Sequence, residues 1–214
     1  RTAARPARDA EAVARLRAAD PVLAGVIDRV SPGAVTARRR RRPNDHYGVL
    51  VRAIVGQQVS TKAAQAIWER LSARYGGSTP TPAQILAEDP EQLRAGAGLS
   101  RAKTSYLRSL AEHVLDGSLE LHKLGRLPDG KVIQELTAVK GLGEWSAHIF
   151  LIFHLRREDV LALGDLGIRR ATMLAYGLAQ LPPPAQLEAI AEPWRPHRTL
   201  ACLYLWESLH VAPV

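Results

Sequence analysis

The chain has 214 residues, of which 46% are hydrophobic and 23% are charged, a balance typical of a globular protein rather than a disordered one. Its single cysteine, Cys202, excludes a disulfide framework, a four-cysteine zinc site and a cysteine-held iron–sulfur cluster. The formal net charge of +8 comes mainly from residues 1–60, which carry 12 basic and 5 acidic side chains, so a polyanion is one candidate partner.

The first half of the chain is predicted to be helical, with short breaks between helices. Apolar side chains recur at three-to-four spacing around residues 13–30, 45–55, 61–71 and 100–114, and Pro90 begins a further short helix. Ser60 (or Thr61) and Ser100 stand where a hydroxyl caps a helix N-terminus. The run Arg38–Arg42 predicts a polar connection, which is either a solvated loop or a surface for a polyanion.

The second half continues the helical pattern without any strand signal. Helical periodicity is found in segments 132–139, 144–155, 167–178 and 197–210. Neither the alternation of a half-buried strand nor a hairpin turn of the Asn-Gly type occurs. We therefore predict an all-α protein of about ten helices, divided into an N-terminal helical segment with a basic loop (residues 1–44) and a core (residues 45–214).

The stretch from Leu136 to His148 carries the most chemical information. Two helical patterns meet there at Lys140-Gly-Leu-Gly143, a turn in which Leu142 is predicted to fill the space between the helices. Glycines at 141 and 143 permit positive φ and leave backbone N–H groups uncovered. Together with the N-terminus of the helix that follows, these N–H groups predict a phosphate-binding site that needs no net positive charge.

About twenty residues beyond this hairpin, Asp165 stands in a glycine-containing turn. Taken alone, such an aspartate is typical of a helix N-cap. Three further motifs accompany the hairpin and the aspartate: Val55-Gly-Gln-Gln-Val-Ser60, Gly98-Leu-Ser-Arg-Ala-Lys103 and Leu203-Tyr-Leu-Trp206. Over roughly residues 45–210 this combination resembles the helix-hairpin-helix DNA glycosylase superfamily and, within it, the 3-methyladenine DNA glycosylase II family of alkylbase glycosylases.

The resemblance implies a fold of two helical subdomains with the helix-hairpin-helix motif and an active-site cleft between the subdomains. Larger bacterial relatives carry an α/β domain ahead of the helical core. The 44 residues that precede the core here are too few for such a domain, so we expect the compact form.

The resemblance also implies an activity, in which a damaged nucleotide is flipped out of the duplex and the bond between base and sugar is broken. The carboxylate of Asp165 would stabilise the positive charge that develops at the sugar C1′. Bifunctional relatives place a nucleophilic lysine where this chain has Trp145, so we expect a monofunctional enzyme that leaves an abasic site intact. Two alternatives stay open: a non-catalytic binder of damaged DNA, and a glycosylase of the same superfamily for oxidised or mismatched bases.

The site residues follow from the same resemblance. The base pocket is expected to contain Trp145, Trp206, Leu166 and Ile149. Gln58 is expected to fill the space left by the flipped base, and Gln57 to support its loop. The expected phosphate contacts are Lys140, Gly141, Leu142, Gly143, Ser60, Arg101, Lys103 and Arg169, and the choice between Arg169 and Arg170 as the residue facing DNA stays open.

Cofactors and partners complete these expectations. No cofactor is expected to be required, although the backbone carbonyls of Thr137, Val139 and Leu142 are expected to bind a structural monovalent cation, as in relatives. The expected partner is double-stranded DNA with alkylated bases, bound by a monomer. No apolar run approaches the roughly 18 residues of a membrane span, so we expect no membrane partner and a cytoplasmic location, at the nucleoid in a bacterium.

Overall fold

The computed structural model describes residues 4–38 and 45–211, and within these ranges the regular secondary structure is helical throughout. The thirteen α-helices of the described ranges are α1 (Ala4–Ala19), α2 (Pro21–Arg29), α3 (Pro32–Arg38), α4 (His46–Gly56), α5 (Thr61–Ala73), α6 (Pro82–Ala87), α7 (Pro90–Ala97), α8 (Arg101–Leu115), α9 (Asp129–Ala138), α10 (Glu144–Phe150), α11 (Leu166–Tyr176), α12 (Pro184–Ala191) and α13 (Arg198–Ser208). Short 3-10 helices cover Leu121–Arg126 and Glu192–Trp194, and a π-helical segment covers Leu151–Leu155. The prediction of an all-α protein is confirmed.

The arginine run is only partly described by the structure. Arg38 is the last residue of α3, and the predicted roles of residues 39–42 lie outside the described part of the chain. None of the described helices combines the length and the apolar character that a crossing of a membrane requires.

Side-chain caps fix where several helices begin. The hydroxyl of Ser60 accepts a hydrogen bond from the backbone N–H of Ala63, and the hydroxyl of Ser100 accepts one from that of Lys103. Each bond satisfies one of the four N–H groups that have no partner inside a helix at its N-terminus. The predicted caps of α5 and α8 are therefore confirmed, with Ser60 rather than Thr61 as the cap of α5.

One compact unit is a continuous piece of the chain, residues 43–150. In it, α4 packs on α5 and α8, α5 packs on α7, and α8 packs on α6. Its core consists of fully buried aliphatic side chains, among them Leu50, Ile54, Leu71, Leu93, Leu107 and Leu110. Burial of each such side chain contributes roughly 1.5–3 kcal/mol to folding. This unit contains the predicted hairpin, which is formed by α9, the turn 139–143 and α10.

The other compact unit combines the two ends of the chain, residues 1–42 and 151–214. In it, α13 packs on α11, α2 and α3, so the N-terminal segment shares a core with the C-terminal helices. The carboxylate of Asp20 caps α2 and also accepts hydrogen bonds from the Tyr176 hydroxyl and from Nε1 of the buried Trp194, the latter at 2.8 Å. This network ties α2 to the C-terminal part of the same unit.

Candidate active site and phosphate-binding turn

The carboxylate of Asp165 is buried at the start of α11, where the residue is 9% exposed. Its Oδ1 accepts a hydrogen bond from the backbone N–H of Ile168 at 2.9 Å and a second one from Nε1 of Trp206 at 2.8 Å. A Cβ added at Gly167 would lie 3.0 Å from the same oxygen and 3.1 Å from Cδ1 of Trp206. Asp165 is therefore the cap of α11 and, in addition, a carboxylate held in one orientation by an indole from another helix.

Trp206 is buried on α13, and the structure gives it a role that the sequence did not indicate. Besides its hydrogen bond to Asp165, its ring packs against that of Phe153, with the ring centroids 5.6 Å apart. Leu166, the residue after Asp165, is 63% exposed at the first position of α11. An aliphatic side chain so exposed beside a buried carboxylate is available for contact with another molecule.

The other two residues expected in the base pocket lie on α10, in the continuous unit. Trp145 is 43% exposed and Ile149 is half-buried. Residues four apart lie on the same face of a helix, so these two side chains are neighbours. The structure thus brings Asp165 together with Trp206 and Leu166 in one unit, and Trp145 together with Ile149 in the other.

The turn of the hairpin is tight because of Gly141. This glycine has a φ of +92°, and a Cβ added to it would lie 2.1 Å from Cγ of Tyr106. The backbone N–H of Leu142 donates to the Val139 carbonyl at 3.0 Å, and the Leu142 side chain is buried as predicted. Gly143, unlike Gly141, has a φ outside the left-handed region. A Cβ there would meet no atom within 4 Å, so the backbone at Gly143 is open to a phosphate.

The loop that follows α4 (residues 57–60, the post-α4 loop) is attached to this turn. Nε2 of Gln57 donates a hydrogen bond to the Gly141 carbonyl at 2.7 Å, which gives Gln57 a supporting contact for the loop. Gln58 has a φ of +55°, a left-handed conformation that is uncommon for a residue other than glycine. Val59 next to it is an exposed aliphatic side chain that the sequence did not single out.

The left-handed backbone at Gln58 predicts that the protein becomes more stable when this residue is replaced by glycine. We expect Gln58→Gly to raise the free energy of unfolding by about 1 kcal/mol, because glycine adopts the left-handed conformation without a steric cost. Gln57→Gly is the matched control and should lower it, since Gln57 has a φ of −59° and loses its contact with Gly141. Urea denaturation measures both. A loss of stability in Gln58→Gly would show that the Gln58 side chain stabilises the free protein.

Three of the expected phosphate contacts are side chains on the surface. Ser60, Arg101 and Lys140 are all exposed. Arg101 and Lys140 line the same concave region of about 400 Å³, to which Ser105 on the next turn of α8 contributes a hydroxyl. The structure thus brings a basic side chain of α8 together with one of the hairpin turn.

Two other expected phosphate contacts have different surroundings from those predicted. Lys103 is 7% exposed, its Nζ donates to the Val55 carbonyl at 2.8 Å, and burial lowers its pKa. In this structure the ammonium group of Lys103 contacts the end of α4, and its predicted contact with a phosphate stays a prediction. Arg169 is half-buried and its Nε donates to the Pro182 carbonyl at 2.9 Å, whereas Arg170 is exposed. Of the pair, Arg170 is the more exposed, and the choice between them as the residue facing DNA stays open.

The carbonyls expected to bind a cation lie at the end of α9 (Thr137 and Val139) and in the turn that follows it (Leu142). The helix ends at Ala138, and the last carbonyls of a helix have no partner inside it. The Val139 carbonyl accepts the N–H of Leu142, and each carbonyl oxygen has a second lone pair. Oxygen ligands from backbone carbonyls suit a hard cation, so Thr137, Val139 and Leu142 fit such an ion. Within the described residues, no cluster of three His, Cys, Asp or Glu side chains offers another metal site.

Comparison with known families gives one match over most of the chain. The family described as HhH-GPD superfamily base excision DNA repair protein matches residues 51–196. DNA-3-methyladenine glycosylase 1 of Schizosaccharomyces pombe is 35% identical over 182 residues, which cover 84% of this chain and 79% of the relative. DNA-3-methyladenine glycosylase 2 of Escherichia coli is 32% identical, over 73% of this chain and 55% of the relative.

Comparison with solved structures gives the same result. The 3-methyladenine DNA glycosylase of S. pombe in complex with abasic DNA superposes with a TM-score of 0.80 at 32% identity, over 94% of this chain and 98% of the other. DNA-3-methyladenine glycosidase of Bacillus halodurans superposes with a TM-score of 0.75 at 35% identity, over 91% of this chain and 87% of the other. Both sequence and fold therefore resemble these proteins over nearly the whole chain.

Proposed function

The chain belongs to the HhH-GPD superfamily of base excision DNA repair proteins, and from this premise we propose that it is a monofunctional DNA glycosylase for alkylated bases. It flips the alkylated base out of duplex DNA, hydrolyses the N-glycosidic bond and leaves an abasic site. The observation that carries the proposal is the buried carboxylate of Asp165, oriented by Trp206. The resemblance assigns the catalytic role to this aspartate.

The chemistry requires one well-placed negative charge. As the bond from C1′ to the base nitrogen breaks, its electron pair leaves with the base and positive charge develops on the sugar. A ring-alkylated purine with a fixed positive charge departs as a neutral molecule, so it needs little help from a general acid. The carboxylate of Asp165 stabilises the cationic sugar, and water then adds at C1′ with loss of a proton. The N–H groups of Ile168 and Trp206 keep this carboxylate in one orientation throughout.

The duplex is held through its phosphates by the continuous unit, residues 43–150. The open backbone at Gly143 and the side chains of Lys140 and Arg101 are the proposed contacts. Such contacts position DNA and carry no information about the base. Gln58 fills the space that the flipped nucleotide leaves, and its side-chain amide can hydrogen-bond to the partner base.

We also propose the finer properties that the resemblance implies. A monovalent cation at the carbonyls of Thr137, Val139 and Leu142 would steady the hairpin turn without entering the chemistry. The protein acts as a monomer inside the cell, at the nucleoid in a bacterium, where its duplex substrate is found.

The experiment that tests this function is a base-release assay on methylated duplex DNA, with alkali added afterwards. We expect free methylated bases in the supernatant and strand breaks only after alkali, which cleaves abasic sites. A non-catalytic binder would retain damaged DNA and release no base. Release from duplexes containing an oxidised base, but none from methylated DNA, would favour the other glycosylase alternative.

The absence of strand cleavage is a separate prediction, which rests on Trp145. A lyase needs an amine that attacks C1′ to form a Schiff base, and an indole has no such nucleophile. With borohydride present, we expect no covalent adduct between the protein and lesion-containing DNA. A bifunctional relative treated in parallel is the positive control. A trapped adduct that disappears in Lys140→Arg would show that the hairpin lysine reaches C1′ and that the protein is bifunctional.

A further inference from the structure

A buried lysine holds the end of α4. Nζ of Lys103 donates to the Val55 carbonyl, one of the last four carbonyls of that helix, which lack partners inside it. A positive charge is favoured at the C-terminus of a helix. Lys103 itself, however, lies in the first turn of α8, where the dipole of its own helix disfavours a positive charge. Burial adds a further cost, and the bond to Val55 offsets part of this cost.

Helix α8 also supports the turn of the hairpin, through a residue that lies about one helical turn after Lys103. Tyr106 lies three residues after Lys103, and its ring is packed so closely on Gly141 that no Cβ fits between them. Side chains three apart lie on one face of a helix, so this face of α8 contacts both the end of α4 and the turn. Gln57 then joins the post-α4 loop to the turn directly, through its bond to the Gly141 carbonyl.

We propose that Lys103 and Gln57 are positioning residues, which fix the loop carrying Gln58 to the phosphate-binding turn with α8 as the common support. The proposal rests on the proposed function, because Gln58 has a task only when a nucleotide leaves the stack. A side chain that must replace a flipped nucleotide needs to be in place while the adjacent phosphates are held. Contacts that are ordered before DNA binds remove that ordering cost from the flipping step.

If Lys103 and Gln57 have this role, the loss in the rate of base release that their substitution causes depends on whether the lesion is base-paired. Flipping costs most for a well-paired base and least for one that is already unpaired. If Lys103 and Gln57 position the loop, removal of either contact slows base release from a paired lesion and has little effect on an unpaired one. A loss of folded protein, by contrast, slows both reactions equally.

The test uses Lys103→Met and Gln57→Ala in the full chain. Lys103→Met keeps an unbranched apolar stem and removes the amine, and Gln57→Ala alters a half-buried loop position. Lys123→Met, at an exposed lysine paired with Glu120, is the matched control. Single-turnover base release is measured on one oligonucleotide with an alkylated purine that the wild type releases, once paired with its normal partner and once opposite an abasic-site analogue. A 2-aminopurine beside the lesion reports unstacking by fluorescence.

We expect both variants to slow release from the paired lesion by about tenfold and from the unpaired lesion by at most about twofold, with a smaller 2-aminopurine signal on the paired duplex. Lys123→Met should match the wild type. Equal losses on both substrates, or no loss on either, would overturn the inference while leaving the proposed function intact. If Lys103→Met does not fold, Gln57→Ala decides by the same criterion. A wild type that releases no base from either duplex would contradict the proposed function and the inference together.

Discussion

The Asp165→Asn variant is expected to release bases at least about 100-fold more slowly than the wild type, the usual scale for one lost electrostatic contact with the transition state. The asparagine keeps a side-chain oxygen that accepts from the N–H groups of Ile168 and Trp206, so the cap of α11 and the orientation of the indole are retained. What is lost is the negative charge that faces the cationic sugar. Single-turnover base release from a paired lesion measures the effect.

A second N-cap aspartate provides the control for this variant. Asp89 caps α7 by accepting from the N–H groups of Glu91 and Gln92, and it is exposed. Asp89→Asn makes the same chemical change at the same kind of helix position, and it should release bases at the wild-type rate. Asp165→Asn should bind damaged duplex as tightly as the wild type or more tightly. Near-normal base release by Asp165→Asn would return Asp165 to the role of a structural cap.

The two glycines of the hairpin turn are expected to respond very differently to alanine. Gly141→Ala should lower the free energy of unfolding by about 3 kcal/mol, because a Cβ would collide with the ring of Tyr106 and the residue would keep a left-handed backbone. Gly143→Ala should leave the stability almost unchanged, since open space surrounds its added methyl group. Thermal or urea denaturation of the two variants measures the difference.

For DNA binding, we expect a clear effect of the substitution at Gly143, which hardly affects stability. The methyl group of Gly143→Ala would keep a phosphate from approaching the backbone, so we expect about tenfold weaker binding of damaged and undamaged duplex alike. Fluorescence anisotropy at one fixed salt concentration measures both affinities, because phosphate contacts depend strongly on salt. Unchanged binding by a folded Gly143→Ala would show that phosphates do not contact this part of the turn. A loss confined to damaged DNA would show that the turn recognises the lesion.

The helical periodicity of the sequence is sufficient to predict an all-α fold. It does not predict three of the helices, and these three share one feature at their first residue. Helices α3, α6 and α12 begin at Pro32, Pro82 and Pro184, and none of them lies in a segment for which the periodicity predicts a helix. A proline does interrupt the residues before it, but at the first position of a helix it needs no N–H partner and its φ is already suitable. For α6 a local signal existed, because Thr81 and Gln84 form a capping box.

The candidate site was predictable where a single motif defines it, and less so where distant residues meet. The hairpin glycines and Asp165 stand in recognisable motifs, and the structure places them in a turn and at a buried cap. Lys103 lies in the same motif as the exposed Arg101, and its burial results from the packing of α8 on α4. The bond from Trp206 to Asp165 likewise joins residues 41 positions apart. A sequence identifies such residues, but the direction of their side chains follows from long-range packing.

Because one unit combines the two ends of the chain, the two units cannot complete their folding at the same time during synthesis. Helices α1 to α3 emerge before the C-terminal helices on which they pack, so Asp20 must wait for Trp194, 174 residues later, to form its hydrogen bond. The continuous segment 43–150 can fold during that interval, because its contacts lie within the emerged chain. Loop-closure entropy grows slowly with loop length, so the long connection between the two parts of this unit costs the folded protein little stability. During synthesis, however, Leu16 and Leu23 are without the core in which they are buried. These N-terminal helices therefore stay without their packing partners until α11 and α13 have emerged.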